Sequence, residues 1–145
     1  MALKQISVFL ENRPGQLARA CKALADRHVS LIALSLAETQ EFGIARLIVD
    51  DGVRAAEVLR AERFLVTTTS VTAVVVPDRP GGMSEVAMLL SENGCDIEYS
   101  YAFAFRHASQ AVLVFRFKDD DDAQRVLAEA GFSTLHENQL HEAAN

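Results

Sequence analysis

The chain has 145 residues, half of them hydrophobic, a formal charge of −6 and two cysteines. That length holds one ordinary domain or two small ones, with enough apolar residues to build folded cores. An acidic balance without a Lys/Arg cluster argues against a phosphate-backbone binder, so nucleic acid is not expected as a partner.

Met1-Ala2-Leu3-Lys4 lacks the charged start and apolar core of a secretory signal, and no apolar run approaches the roughly 20 residues that span a bilayer. The expected location is therefore cytoplasmic, with no membrane partner. Gln5 to Leu10 alternates, placing Ile6, Val8 and Leu10 on one face of a strand. The next stretch, Glu11-Asn12-Arg13-Pro14-Gly15-Gln16-Leu17, turns from that strand into a helix. Proline suits a first helical turn, where its missing N–H needs no partner, and the glycine lets the backbone come close to whatever sits at the helix mouth. Leu17, Ala20, Cys21, Leu24 and His28 then form a helical stripe, with Arg19, Lys22, Asp26 and Arg27 mostly outside it. Leu31 to Ala37 reads as a second strand, Glu41-Phe42-Gly43 as a hairpin turn and Ile44 to Val49 as a third strand. Asp50-Asp51-Gly52 leads into a helix from Val53 to Glu62, its acids placed to cap free amides. Phe64 to Thr69 completes a β-α-β-β-α-β unit.

Val71 to Val76 starts the pattern again with no flexible spacer. Sixty-six positions after Pro14, Pro77-Asp78-Arg79-Pro80-Gly81-Gly82-Met83 repeats the corner, and Met83, Val86, Ala87 and Leu90 repeat the helical stripe. Asn93-Gly94 is a helix stop. A strand over Asp96 to Ala104, a turn at Arg106-His107-Ala108-Ser109 and a strand over Ala111 to Phe117 follow. Asp119 to Asp122 then opens a helix carrying Ala123, Val126, Leu127 and Ala130, and a last strand is expected near Phe132 to Leu140. The acid run reads as caps and solvated charge, with no metal. His136 and His141 do not converge on one ion at their spacing. Cys21 and Cys95 belong to no close pair and read as reduced, mostly buried thiols.

A four-stranded antiparallel sheet with both helices on one face is the ferredoxin-like arrangement. The expected fold is α+β: two tandem ferredoxin-like βαββαβ units, over 1–69 and 70–145, packed side by side. Each unit is small for a self-sufficient core, which favours a homodimer.

On the residues of the two corners, each followed by a helix and then Val29-Ser30-Leu31-Ile32 or Cys95-Asp96-Ile97-Glu98, the repeats resemble ACT domains. These are small amino-acid-sensing modules of metabolic regulation, and the likeness runs from Gln5 to Leu140. It implies a non-catalytic regulatory protein of the stand-alone tandem type. Such a protein binds a free amino acid where domains meet, needs no cofactor, and acts on an enzyme or transporter.

The chemistry of the implied site follows from the ligand. An amino acid needs an anion-binding end and an acceptor close together. Amides at Gly15, Gln16 and Leu17, or at Gly81, Gly82 and Met83, take the carboxylate, and the side chain of Asn12 or Asp78 accepts from the ammonium. The charge of Asp78 favours the second corner unless Arg79 neutralises it. The plainer alternative makes Asn12 and Asp78 helix caps. Arg13 and Arg79, each before a proline, are expected to point into solvent. Tyr99 and Tyr101 face the same way and either wall a side-chain pocket or serve packing and dimer contact; their counterparts Ala33 and Ser35 are small. Three other functions compete: an acylphosphatase-like enzyme, a regulatory subunit like the small acetolactate synthase chain, and, least favoured by charge, RNA recognition.

Overall fold

The computed structural model describes residues 3–38, 41–104 and 110–139, which form two compact units over Lys4–Thr69 and Ser70–Gln139. The expected turn at Arg106 to Ser109, and the chain from Leu140 through His141 to Asn145, lie outside the described residues.

The first unit contains β1 (Leu3–Glu11), α1 (Gln16–Asp26), β2 (Leu31–Glu38), β3 (Phe42–Val49), α2 (Gly52–Ala61) and the start of β4 (Leu65–Pro77). Its strand order is β2-β3-β1-β4, with β3 antiparallel to both β1 and β2. Ile6, Val8 and Leu10 of β1 and Ala45, Leu47 and Val49 of β3 are buried in one cluster with Ala20 and Leu24 of α1 and Ala55 and Leu59 of α2. Both helices therefore cover the same sheet face, and the period-2 and period-3.6 stripes meet there. Asp51 caps α2 by accepting from the Arg54 amide at 3.1 Å.

The second unit continues β4 into α3 (Gly82–Glu92), β5 (Ile97–Ala102), β6 (Gln110–Phe117), α4 (Asp120–Glu129) and β7 (Ser133–Thr134), with strand order β7-β4-β6-β5. Val74, Val76, Phe115 and Phe117 pack with Val86, Leu90, Ala123 and Leu127. The Phe115 and Phe117 rings stack at 5.4 Å. Asp119 caps α4 by accepting from the Asp122 amide, so the acid run begins with a cap.

Four expectations are corrected. The two strands read on either side of Ser70 are one, β4, because Thr67 to Val76 offers no glycine, proline or asparagine to break a β-branched run. Phe42 and Gly43 belong to β3, where Gly43 pairs with Leu10. Met83 is 44% exposed and lies outside the α3 core stripe. The last strand shrinks to Ser133–Thr134, followed by a 3-10 turn over Glu137–Gln139. There the His136 amide donates to Gln139 Oε1 at 2.8 Å, a local bond that replaces the ladder.

Helices α1 to α4 end alike. The amide two residues past the cap reaches back five positions: Val29 to Leu24, Phe64 to Leu59, Cys95 to Leu90 and Phe132 to Leu127. This termination needs a left-handed residue. Gly94 and Gly131 supply it in the second unit; in the first, His28 (φ 58°) and Arg63 (φ 67°) hold it without glycine's freedom.

Candidate functional site

At the first corner, β1 ends at Glu11 and α1 begins at Gln16, with Gly15 as N-cap at φ 87° and ψ −6°. Proline followed by glycine at those angles is the type II turn pattern, so Pro14 belongs to the turn and not, as expected, to the first helical turn. Positive φ is what Gly15 contributes; a Cβ there would meet nothing within 4 Å. No side chain caps α1, and Asn12 is exposed, so its alternative role as a cap is not realised. The first amides of the helix are left without an intrahelical acceptor. Leu17 is partly buried against the core, leaving its amide as the group at the helix mouth.

Beside this mouth lies a cleft of about 200 Å³. Its polar lining is Glu11, Arg13, Gln16, Arg19 and Arg63; its apolar lining is Phe9, Phe42, Phe64 and Leu65. Arg19 is fixed from three sides. It donates to the Glu62 carbonyl at 2.9 Å and to Gln16 Oε1 at 3.3 Å, and its guanidinium lies 4.0 Å over the Phe64 ring. Glu62 and Phe64 flank the end of α2, so the helix termination described above sets the platform on which Arg19 rests. With Gln16 Oε1 accepting, the Gln16 NH2 group remains a donor. Arg13 is exposed to solvent, as expected, and pairs there through Nε with Glu11 Oε2 at 2.9 Å along the rim of the cleft. The backbone places these groups together from three segments, around positions 9–19, 42 and 63–65.

The second corner has the same backbone and different side chains. Gly81 is the N-cap of α3 at φ 90°, again with no side-chain cap. The Gly82 amide donates to the Arg79 carbonyl at 3.0 Å, closing the turn, so that amide is spent within the protein. Gly82 itself is buried, and a Cβ there would collide with the Pro77 carbonyl oxygen. Where the first repeat has Arg19 the second has Glu85, which holds Arg79 in an ion pair at 2.8 Å. Asp78 is exposed at the start of the turn.

Tyr99 and Tyr101 do share a face. Tyr101 stands opposite Val114 and Tyr99 opposite Arg116, while Phe115 and Phe117, on the other face of β6, point into the helix-covered core. Both tyrosines therefore lie on the sheet face away from α3 and α4, and both are half-buried. Sequence reasoning missed Arg19, Arg63 and Phe64. The available signal was the repeat itself, in which Arg19 and Arg63 face Glu85 and Gly131 at equivalent positions.

A second cleft of about 490 Å³ is lined by Arg116, Lys118, Asp120 and Gln124, among others. Asp120 Oδ1 accepts from Thr72 at 3.4 Å, and burial pushes its carboxyl above the ordinary value, with Arg116 and Thr72 opposing. Burial also raises the Cys21 and Cys95 thiols, with Asp122 adding to the effect at Cys95, which disfavours thiolate chemistry. Among the described residues no group of three or more His, Cys, Asp or Glu is placed to hold a metal ion. None of their helices is long and apolar enough to cross a membrane.

Two βαββαβ units, each with a glycine-capped corner before its first helix, define a tandem ferredoxin-like α+β protein. The chain belongs to the ACT domain pair family, whose model matches residues 1–144. Protein BT0572 from Bacteroides thetaiotaomicron is similar in structure with a TM-score of 0.91, at 36% identity over 98% of this chain and 97% of that one. The regulatory subunit of aspartate kinase from Thermus thermophilus shares the fold with a TM-score of 0.65, at 17% identity over 90% of this chain and 94% of that one. The corresponding subunit from Thermus flavus does so with a TM-score of 0.61, at 16% identity over 90% and 93%. A search of curated proteins finds no match.

Proposed function

We propose that this chain is a non-catalytic regulatory protein that binds a free amino acid at its first corner and signals occupancy to an enzyme partner. One observation carries the reading: Arg19 is held against Gln16, the Glu62 carbonyl and the Phe64 ring at the mouth of an uncapped helix. The α-carboxylate meets the Gln16 and Leu17 amides beside Gly15, the Gln16 NH2 group and Arg19. Glu11 Oε1 accepts from the ammonium, a role expected of Asn12. The cleft is smaller than the roughly 300–1,000 Å³ of drug-sized ligand sites, as a metabolite of amino-acid size requires.

The second corner, with Asp78, Gly81, Gly82 and Met83, is the weaker site in this reading, because Glu85 already engages Arg79. Tyr99 and Tyr101 fall outside the first-corner cleft and are assigned to packing or dimer contact. The regulatory role and the enzyme partner rest on likeness to the aspartate kinase subunits, and the proposed assembly is a homodimer. Thermal melts against the twenty free amino acids test the reading. A ligand confined to the native state stabilises by about 2.7 kcal/mol at a hundredfold excess over Kd. Gln16→Ala should reduce that shift, and a flat response to all twenty contradicts the proposal.

The arginines around the corner favour one second reading, acyl-phosphate hydrolysis of the acylphosphatase type. Benzoyl phosphate cleavage above the buffer rate, lost in Arg19→Ala, would select it instead.

A further inference from the structure

We infer that the ligand of the first corner is an acidic amino acid, one whose side chain carries a second carboxylate. The inference rests on the site proposed above and concerns its charge. Three guanidinium groups and one carboxylate line the cleft, in a chain whose formal charge is −6. Arg13 is balanced by Glu11, and Arg19 meets the α-carboxylate. That leaves Arg63, whose guanidinium has no partner among the described residues. A neutral amino acid leaves this charge unmatched; a dicarboxylic one matches it at the far end of the cleft.

The second repeat shows that the charge is not a by-product of the fold. At its equivalent positions Arg19 becomes Glu85 and Arg63 becomes Gly131, and the corner is neutralised by its own Arg79–Glu85 pair. The same helix ending forms with glycine, so folding does not demand an arginine at 63. The rim is also unfinished: Phe42 and Leu65 line the cleft while 48% and 67% exposed, and the aliphatic stem of a bound ligand would cover part of them.

Calorimetric titration of the full chain with L-aspartate and L-glutamate, against L-asparagine and L-glutamine, separates charge from shape. The better acid should bind at least tenfold more tightly than its amide. Arg63→Gln should reduce that preference to about threefold or less, acid binding weakening more than amide binding, and circular dichroism melts would confirm that the variant is folded. Arg63→Gly should lose the preference too, and with a melting temperature no lower than the parent. Amides that bind as well as acids, or an acid preference that survives both substitutions, would overturn the inference while leaving an amino-acid site in place. Inorganic phosphate displacing the acid at equal concentration would also overturn it, by showing a site that reads charge alone. If none of the four binds, the site itself is wrong and the inference falls with it.

Discussion

Arg19 on α1 and Phe64 beyond α2 are joined face to face, the guanidinium 4.0 Å above the ring, while the same arginine closes on the Glu62 carbonyl at 2.9 Å. The cation thus sits at the negative end of α2 and at the positive mouth of α1, bridging two helices as well as facing the cleft.

Arg19→Ala should therefore cost stability as well as binding, by about 1–2 kcal/mol for the lost stacking and charged hydrogen bond. Urea denaturation measures it. Arg19→Lys should recover only part, because an ammonium lacks the planar fork that serves the carbonyl, Gln16 and the ring together. A loss within experimental error would mean that the bridge is only a surface contact.

His28 occupies the left-handed position that Gly94 fills in the second repeat. His28→Gly should raise stability by up to about 1 kcal/mol, the relieved strain exceeding the added unfolded-state freedom. The reciprocal Gly94→Ala should lower it by about 1 kcal/mol. Both are read from thermal melts.

Gly82→Ala should be the more damaging change at the second corner. Its Cβ meets backbone, the Pro77 carbonyl oxygen, which cannot swing aside as a side chain would. A loss of about 1–3 kcal/mol is expected from such overpacking. In the first repeat the equivalent residue is Gln16, so Gln16→Ala should leave stability nearly unchanged and affect binding alone.

Asp120 predicts a pH dependence. Burial raises its carboxyl above the ordinary value of 3.8, so the folded chain holds that proton more tightly than the unfolded one. Its contribution favours folding below the unfolded pKa and is lost as pH rises through the folded pKa. Asp120→Asn should be more stable than the parent at neutral pH, with the difference closing toward pH 4 or below. A difference that is constant with pH would remove Asp120 as its source.

Much of this architecture was legible in the residues. Ile6, Val8 and Leu10 announce the core face of a strand, although its other face, with Gln5 and Ser7, is buried as well, and the repeated Pro-Gly corner fixes where each first helix begins. The site was less so. Along the chain Arg19 lies outside the apolar stripe of its helix and passes for a solvated charge. Only the packing of α1 beside α2 brings it over Glu62 and Phe64, more than forty positions away. Arg63 was hidden for a different reason: where glycine ends a helix the stop is visible, as at Asn93-Gly94, but an arginine forced left-handed carries no local signature. Tyr99 and Tyr101 show the converse. Their alternation set them on one face correctly, but only pairing with Val114 and Arg116 tells which face.

The central claim is that two corners share a backbone and that, of the two, the first is the stronger ligand site. Amide chemical-shift mapping in 15N-labelled protein, titrated with the tightest-binding amino acid, tests it most directly. The largest shifts should fall on Gln16, Leu17, Ala18 and Arg63 to Leu65, with Gly82 to Glu85 shifting less. Shifts concentrated at Gly82 to Glu85, with the first corner unmoved, would contradict it.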